Sequence, residues 1–125
     1  MLPLRYPKVW FALGCTLVSG VVIGSFLPGP VVEIMSVNDK LMHVGAYFVL
    51  SVWFAGLYRR GLFPLVGAAL LALGVGIDLL QGLTPTRQTD VYDMVANFFG
   101  ILIGLSLSVL FFEGWCQRLE RRLLT

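Results

Sequence analysis

The sequence predicts an all-α membrane protein, a bundle of four antiparallel transmembrane helices whose N- and C-termini both face the cytoplasm. Three observations predict this fold. The 125 residues are 58% hydrophobic and only 13% charged, whereas an average soluble domain is about 25% charged. The apolar residues fall into four stretches, each near the ~20 residues that a helix needs to cross a bilayer. The basic residues gather in the connections at one end of these stretches.

The first stretch ends at Pro28-Gly29-Pro30, because proline cannot continue a helix and glycine between two prolines favours a sharp turn. Its apolar run continues well past Cys15, which favours a retained span over a cleaved signal peptide. What lies between the stretches is too short for a further domain, so residues 1–125 are predicted to form a single domain. The predicted spans are residues 9–27, 39–58, 62–83 and 90–112.

The orientation of the spans follows from the basic residues in the short connections. One end of the predicted bundle has only two of them, Lys40 and Arg87. This end is therefore predicted to face away from the cytoplasm. The other end has seven, which are Arg5, Lys8, Arg59, Arg60, Arg118, Arg121 and Arg122.

The C-terminal segment 113–125 has an amphipathic pattern. Trp115, Leu119 and Leu123 recur every four residues, with three arginines between them. This pattern predicts a helix that lies in the interface of the inner leaflet. The alternative is a frayed basic end.

Several classes of function are not favoured by the sequence. The basic residues form no stripe and alternate with no aromatic platform, so nucleic-acid binding is not expected. Cys15 and Cys116 are both predicted near the cytoplasmic side, where thiols stay reduced, so no disulfide is expected. No cofactor motif and no cysteine and histidine spacing typical of a zinc site are present, so we expect neither a cofactor nor a resident metal.

Polar residues recur on one face of the second span. Asp39, His43 and Tyr47 are spaced by four residues and share this face, and Lys40 lies at its edge. Asp39 also fits the capping-box pattern with Ser36, so helix capping is an alternative role for it. His43 is the single histidine of the chain and lies about 6 Å below Asp39.

The third and fourth spans have polar faces at the same end. Asp78 and Gln81 share a face of the third span, and a carboxylate about 7 Å inside its helix end must be paired, protonated or facing water. Asp93 and Asn97 lie too deep in the fourth span for simple capping, whereas Asp90 could cap the helix. Arg87 is the predicted counter-ion of Asp90 or Asp93.

Turning these three faces inward avoids unsatisfied polar groups in lipid and creates a polar pocket at the extracytoplasmic side. Four carboxylates against two basic side chains give it a formal charge of −2 with neutral histidine. Such a pocket disfavours a bare phosphate and accommodates a cationic group, a divalent metal or a protonated acid. The predicted binding residues are Asp39, Lys40, His43, Tyr47, Asp78, Gln81, Arg87, Asp90, Asp93 and Asn97.

Gly100 and Gly104 form a small-xxx-small pattern that lets helix backbones approach closely, here expected to pack the helices beneath the pocket. Together with the polar residues, this pattern resembles the VanZ-like family of small bacterial membrane proteins. The family commonly has Glu where this chain has Asp78, whose carboxylate reaches one methylene less far. The ordered motif reads Asp39-Lys40-x-x-His43-x-x-x-Tyr47, Asp78-x-x-Gln81 and Arg87-x-x-Asp90-x-x-Asp93-x-x-x-Asn97-x-x-Gly100-x-x-x-Gly104.

The resemblance implies a multi-pass protein of the bacterial cytoplasmic (inner) membrane with a role in the cell envelope. The founding member of the family is linked to resistance to the glycopeptide antibiotic teicoplanin. The resemblance implies no particular reaction, cofactor or oligomeric state.

Three classes of function remain open from the sequence. The favoured one is binding of a lipid head group or an amphiphilic envelope ligand in the polar pocket. The second is catalysis on a lipid-linked envelope precursor, with His43 as general acid or base and Asp78 as the other catalytic candidate. A metal-dependent variant of it would use His43, Asp78 and Asp93. A transporter or a structural partner protein is the third.

Overall fold

A computed structural model describes residues 2–25, 39–83 and 91–123, and the elements within these ranges are all helical. A 3₁₀ turn, Arg60–Leu62, precedes the third helix, and a π-helical turn, Ser108–Phe112, continues the fourth. The side chains of Asp39, Lys40, Gln81 and Val91 are not among those described. The helices are α1 (Pro7–Ser25), α2 (Asp39–Ala55), α3 (Phe63–Gln81), α4 (Val91–Leu107) and α5 (Trp115–Leu123).

Three helical segments are long and apolar enough to cross a membrane, namely Pro7–Ser25, Arg60–Leu80 and Tyr92–Phe112. Large apolar side chains cover their outer surfaces, as expected where lipid replaces water. The predicted helical fold and membrane character are thus confirmed. The second predicted span is shorter than expected, because α2 has 17 residues and its apolar part is Leu41–Ala55.

The helix ends follow local sequence signals. α3 begins at Phe63-Pro64, and proline suits the first turn because its missing N–H would have no partner there. At its other end the N–H of Gly82 donates to the carbonyl of Asp78 at 3.1 Å. After the π-helical turn, Gly114 adopts a φ of +66°, a conformation that favours glycine, and redirects the chain into α5.

The core of the bundle lies where α2, α3 and α4 meet. Tyr47 and Leu50 of α2 pack with Leu70 of α3 and Ile101 of α4, and all four are buried. α2 packs most extensively on α4. Helix α1 packs on α2 and α3 with fewer contacts.

The two glycines of the small-xxx-small pattern lie where α4 meets α2. A Cβ on Gly100 would collide with the Val44 carbonyl oxygen and lie 3.1 Å from the Phe48 nitrogen. A Cβ on Gly104 would collide with the Ser51 hydroxyl and lie 3.0 Å from the Phe48 carbonyl oxygen. The glycines therefore let α4 approach the backbone of α2, which is the packing role that the sequence predicts for them.

The two terminal segments meet at one end of the bundle in what we call the terminal clasp, formed by Arg5, Tyr6, Trp10, Trp53, Trp115 and Glu120. The three indole rings lie 5.2 to 5.6 Å apart between centroids. The Glu120 carboxylate accepts hydrogen bonds from the backbone N–H of Arg5 at 2.8 Å, that of Tyr6 at 3.0 Å and Trp10 Nε1 at 2.8 Å.

The segment after Gly114 forms the helix α5, and its packing differs from the amphipathic pattern. Cys116 and Glu120 are its buried residues, while Leu119 and Leu123 are exposed. The difference arises because hydrogen bonds to the N-terminal segment turn Glu120 toward the bundle. Leu119 and Leu123 remain available for lipid, and the interfacial position of α5 stays a prediction.

Candidate functional site

His43 lies between two polar residues of α4 and is the centre of the candidate site. Its Nδ1 lies 2.9 Å from Asn97 Oδ1, and its Nε2 lies 3.7 Å from Asp93 Oδ2. Because an amide oxygen only accepts, Nδ1 must carry the proton in this hydrogen bond. The second ring nitrogen then faces a carboxylate, an arrangement that also accommodates the protonated ring.

Helix α3 forms another wall of the site, at Gly74. A Cβ on Gly74 would lie 2.7 Å from Asn97 Nδ2 and 3.2 Å from the Tyr47 hydroxyl. The absence of a side chain at this position lets polar groups of α2 and α4 lie against the α3 backbone. Residues of α2, α3 and α4 thus meet around Asn97.

Asp78 lies one turn after Gly74, on the same face of α3. Asp78 is 2% exposed, and Asp93, Asn97 and Tyr47 are 2 to 4% exposed. Within the described part of the chain, every buried side-chain nitrogen or oxygen has a hydrogen-bond partner. Such saturation is expected of polar groups within an apolar layer, where an unsatisfied group is costly.

Five of the ten predicted binding residues are thereby located: His43, Tyr47, Asp78, Asp93 and Asn97. Asp39, Lys40 and Gln81 lie within helices, but their side chains are outside what the structure describes. Arg87 and Asp90 lie outside the described residues, so the predicted ion pair of Arg87 stays a prediction.

The arrangement of acids bears on the metal-dependent alternative. Among the described residues, no group of three or more His, Cys, Asp or Glu side chains is placed to hold a metal ion. The combination of His43, Asp78 and Asp93 is therefore not assembled as a ligand set. The reason is local, since Asn97 engages one nitrogen of His43 and Asp93 faces the other.

Glu120 is a buried polar residue whose partners sequence reasoning did not identify. It is surrounded by arginines in the sequence, which is typical of a solvated helix face. Burial favours the neutral acid, but the hydrogen bonds from Arg5, Trp10 and Tyr6 and the Arg5 charge together lower the pKa of the Glu120 carboxyl below its ordinary value. The sequence signal that could have indicated its burial is its position four residues after Cys116, on the same face of the helix.

The two cysteines are free within the described structure. Cys15 is exposed on α1, and Cys116 is buried in α5. Burial, together with the charge of Glu120, raises the pKa of the Cys116 thiol to about 12. Cys116 is therefore a packing residue, because the reactive form of a thiol is the thiolate.

Comparison with known proteins finds a similar chain in the fission yeast Schizosaccharomyces pombe, an uncharacterized protein. The two are 32% identical over 92 residues, which are 68% of this chain and 53% of the yeast protein. The chain thus spans about half the length of the relative that it matches. No protein-family model and no solved structure matches the chain.

Proposed function

We propose that the protein binds the head group of a membrane lipid, or of an amphiphilic envelope ligand, in the polar site around His43. The observation that carries the proposal is the contact of His43 with Asn97 and Asp93, closed by α3 at Gly74. Polar residues within an apolar bundle are costly to maintain and mark functional sites by default.

The charge of the site favours a ligand with a cationic group, such as the amine of phosphatidylethanolamine. Asp78 and Asp93 are both buried near the polar end of the bundle. A ligand ammonium would donate hydrogen bonds to these carboxylates and reduce the repulsion between them. The His43 side chain is 13% exposed, against 5% for that of Asp93, and is the more accessible of the two to a ligand.

The proposed topology is a bundle of four antiparallel membrane spans with both termini in the cytoplasm. Contacts of the terminal clasp support an even number of crossings, since they bring residues 5–10 against α5. The Leu2 N–H also donates to the Leu57 carbonyl at 2.7 Å, which brings the end of α2 to the same side. α2 then crosses despite its 17 residues, a length at the lower limit of about 17–25 residues for a span.

The proposed location is the cytoplasmic membrane of a bacterium, with a VanZ-like role in the envelope that includes a link to glycopeptide resistance. The ordered polar motif supports this proposal. The yeast relative is a eukaryotic protein and bears on neither the bacterial location nor the resistance.

The binding proposal is tested with purified protein and phosphatidylethanolamine, using native mass spectrometry to count the retained lipid. His43→Ala, Asp78→Asn and Arg87→Ala are expected to lower lipid retention, whereas Ser19→Ala on the exposed face of α1 is the matched control. Teicoplanin, an amphiphilic glycopeptide, serves as a second probe. Unchanged retention of both probes in all three site variants contradicts the proposal.

Catalysis on a lipid-linked precursor is the second candidate, supported by the oriented pair of His43 and Asp93. A histidine held by one partner and facing a carboxylate is a common form of general acid or base. The engagement of both ring nitrogens by α4 favours binding over this alternative. Comparison of lipid-linked envelope precursors in a deletion strain and in a strain with His43→Ala tests it. If all precursor levels match those of the wild type, the catalytic candidate is wrong.

A further inference from the structure

An apolar groove lies between α1, α2 and α3. It is on a different side of the bundle from the contact between α2 and α4. It has a volume of about 400 Å³. Its wall on α3 includes Leu65, Ala69 and Leu73, which recur every four residues and extend roughly 12 Å along the helix. Val18 of α1 and Phe54 of α2 form the other walls. The groove is therefore long and narrow.

The polarity of the groove changes at one end. Tyr58 and Leu62 line this end, and the exposed Arg59 lies between them in the connection from α2 to α3. Tyrosine is typical of the boundary between the apolar layer and the head groups. The apolar groove thus ends at a tyrosine that is followed in the chain by an exposed arginine.

The carboxylates of Glu113 and Glu120 at this end of the molecule already contact other groups, which favours an anionic partner for the remaining basic side chain. Glu113 lies 3.7 Å from Arg60, and Glu120 accepts the hydrogen bonds of the terminal clasp. Arg60 also donates to the Val109 carbonyl at 3.1 Å, which directs its guanidinium toward the end of α4. Arg59 is exposed and directly follows Tyr58 in the chain, which makes it the candidate cation for this end of the groove.

We propose that this groove binds an anionic phospholipid, with one acyl chain along α3 and the phosphate at Arg59. The site is separate from the polar site of His43, which lies at the opposite end of the bundle. In the predicted orientation Arg59 faces the cytoplasmic leaflet, where anionic lipids are found. The bound chain fills the space that the loose packing of α1 leaves against α2 and α3.

A second groove supplies an internal comparison. It has a volume of about 230 Å³ between α3 and α4, and Ala68 and Phe98 contribute to its apolar lining. Ala68 and Ala69 are adjacent, exposed residues of α3 that line different grooves. Ala69→Phe fills the proposed lipid site, and Ala68→Phe adds the same side chain outside it.

The experiment uses the full chain in detergent, mixed with phosphatidylglycerol or with phosphatidylcholine of the same acyl chains. Native mass spectrometry measures the lipid bound per protein. Wild type is expected to prefer phosphatidylglycerol. Arg59→Gln is expected to weaken phosphatidylglycerol binding about five-fold, as one basic residue near an anionic surface contributes. Arg122→Gln makes the same charge change on α5 and is expected to bind as the wild type does.

Ala69→Phe is expected to lose the preference for phosphatidylglycerol, whereas Ala68→Phe and Ser19→Ala keep it. Equal binding of the two lipids by wild type overturns the proposal, as does equal binding by Arg59→Gln and Arg122→Gln. A dimer in cross-linking that Ala69→Phe abolishes would show that a second copy fills the groove, and would also overturn it. If Ala69→Phe fails to fold, as circular dichroism would show, the two arginine variants decide the outcome.

Discussion

His43 is the residue on which the polar site depends, because it connects α2 to two residues of α4. Its ring contacts Asn97 at 2.9 Å and faces Asp93 at 3.7 Å. Asp93 and Asn97 are nearly inaccessible to solvent, so water does not readily replace the ring when it is lost. Replacement of His43 is therefore expected to destabilise the bundle, in addition to its effect on the proposed binding.

We predict that His43→Ala lowers the free energy of unfolding by about 1 kcal/mol, in the range measured for hydrogen bonds between membrane helices. The physical reason is that Asn97 loses a hydrogen bond in an apolar environment. Unfolding by denaturing detergent, followed by circular dichroism, measures the change. Ser19→Ala, which removes a hydroxyl bonded only within α1 at 2.9 Å, is the control. Equal stability of the two variants would show that the ring makes no net contribution.

Glu120 gives the terminal clasp a dependence on pH. Its lowered pKa means that the ionised form is favoured by folding, so its contribution is complete above the ordinary glutamate pKa of about 4.3. The contribution is lost as the pH falls from that value through the lower pKa of the folded state. We predict that indole fluorescence of wild type changes in this acidic range as the clasp opens, whereas that of Glu120→Gln changes little. Identical titrations of the two proteins would contradict this account.

His43 and Glu120 illustrate which contacts of this protein can be predicted from the sequence and which cannot. The face of Asp39, His43 and Tyr47 follows from helical spacing alone, so its inward orientation could be predicted. Spacing did not identify Asn97 as the partner of His43. The partner of Glu120 could not, since it lies at the other end of the chain and presents backbone N–H groups that any sequence has. Long-range contacts of the main chain leave no pattern in the side chains.

At the scale of the helices, the close approach of α2 and α4 is the central packing feature. Gly100 and Gly104 allow it, and Ser51 fills the space against Gly104. The small-xxx-small spacing predicted such an approach, but it could not specify α2 as the neighbour. That choice depends on the polar contacts above it, because His43 and Asn97 fix the register between the two helices.

We predict that Gly100→Ala destabilises the bundle by about 1 to 3 kcal/mol, because overpacking must displace α4 from the α2 backbone. Gly76→Ala is the matched control, since a Cβ there meets no atom within 4 Å. The control is expected to be neutral or more stable by up to ~1 kcal/mol, because alanine favours the helix. Thermal unfolding of both proteins in the same detergent measures the difference, and equal melting temperatures would contradict the packing account.

At the scale of the whole molecule, the ends of the bundle differ in chemistry. One end contains Asp78, Asp93 and His43, and the other contains the terminal clasp and the exposed arginines. Four apolar stretches and the basic connections predicted this division. The shorter α2 was not predicted, because Gly56 and Leu57 have apolar or small side chains that extend the hydrophobic run beyond the end of the helix.

We predict that the connection at Arg59 and the end of α3 at Leu83 lie on opposite sides of the membrane. In a background of Cys15→Ser and Cys116→Ser, the variants Arg59→Cys and Leu83→Cys are labelled with a membrane-impermeant maleimide. Leu83→Cys is expected to react in intact cells and Arg59→Cys only after the membrane is opened. Labelling of both from the same side would contradict the proposed topology.

The most direct test of the central claim is the binding of phosphatidylethanolamine by wild type, Asp93→Asn and Ser19→Ala. Asp93→Asn retains the size of the side chain but removes the charge that faces His43 and would attract an ammonium group. Native mass spectrometry should find phosphatidylethanolamine retained by wild type and by Ser19→Ala, and at least about ten-fold weaker binding to Asp93→Asn, in keeping with the loss of one charge-assisted hydrogen bond. Equal retention by all three folded proteins would contradict a head-group site at His43.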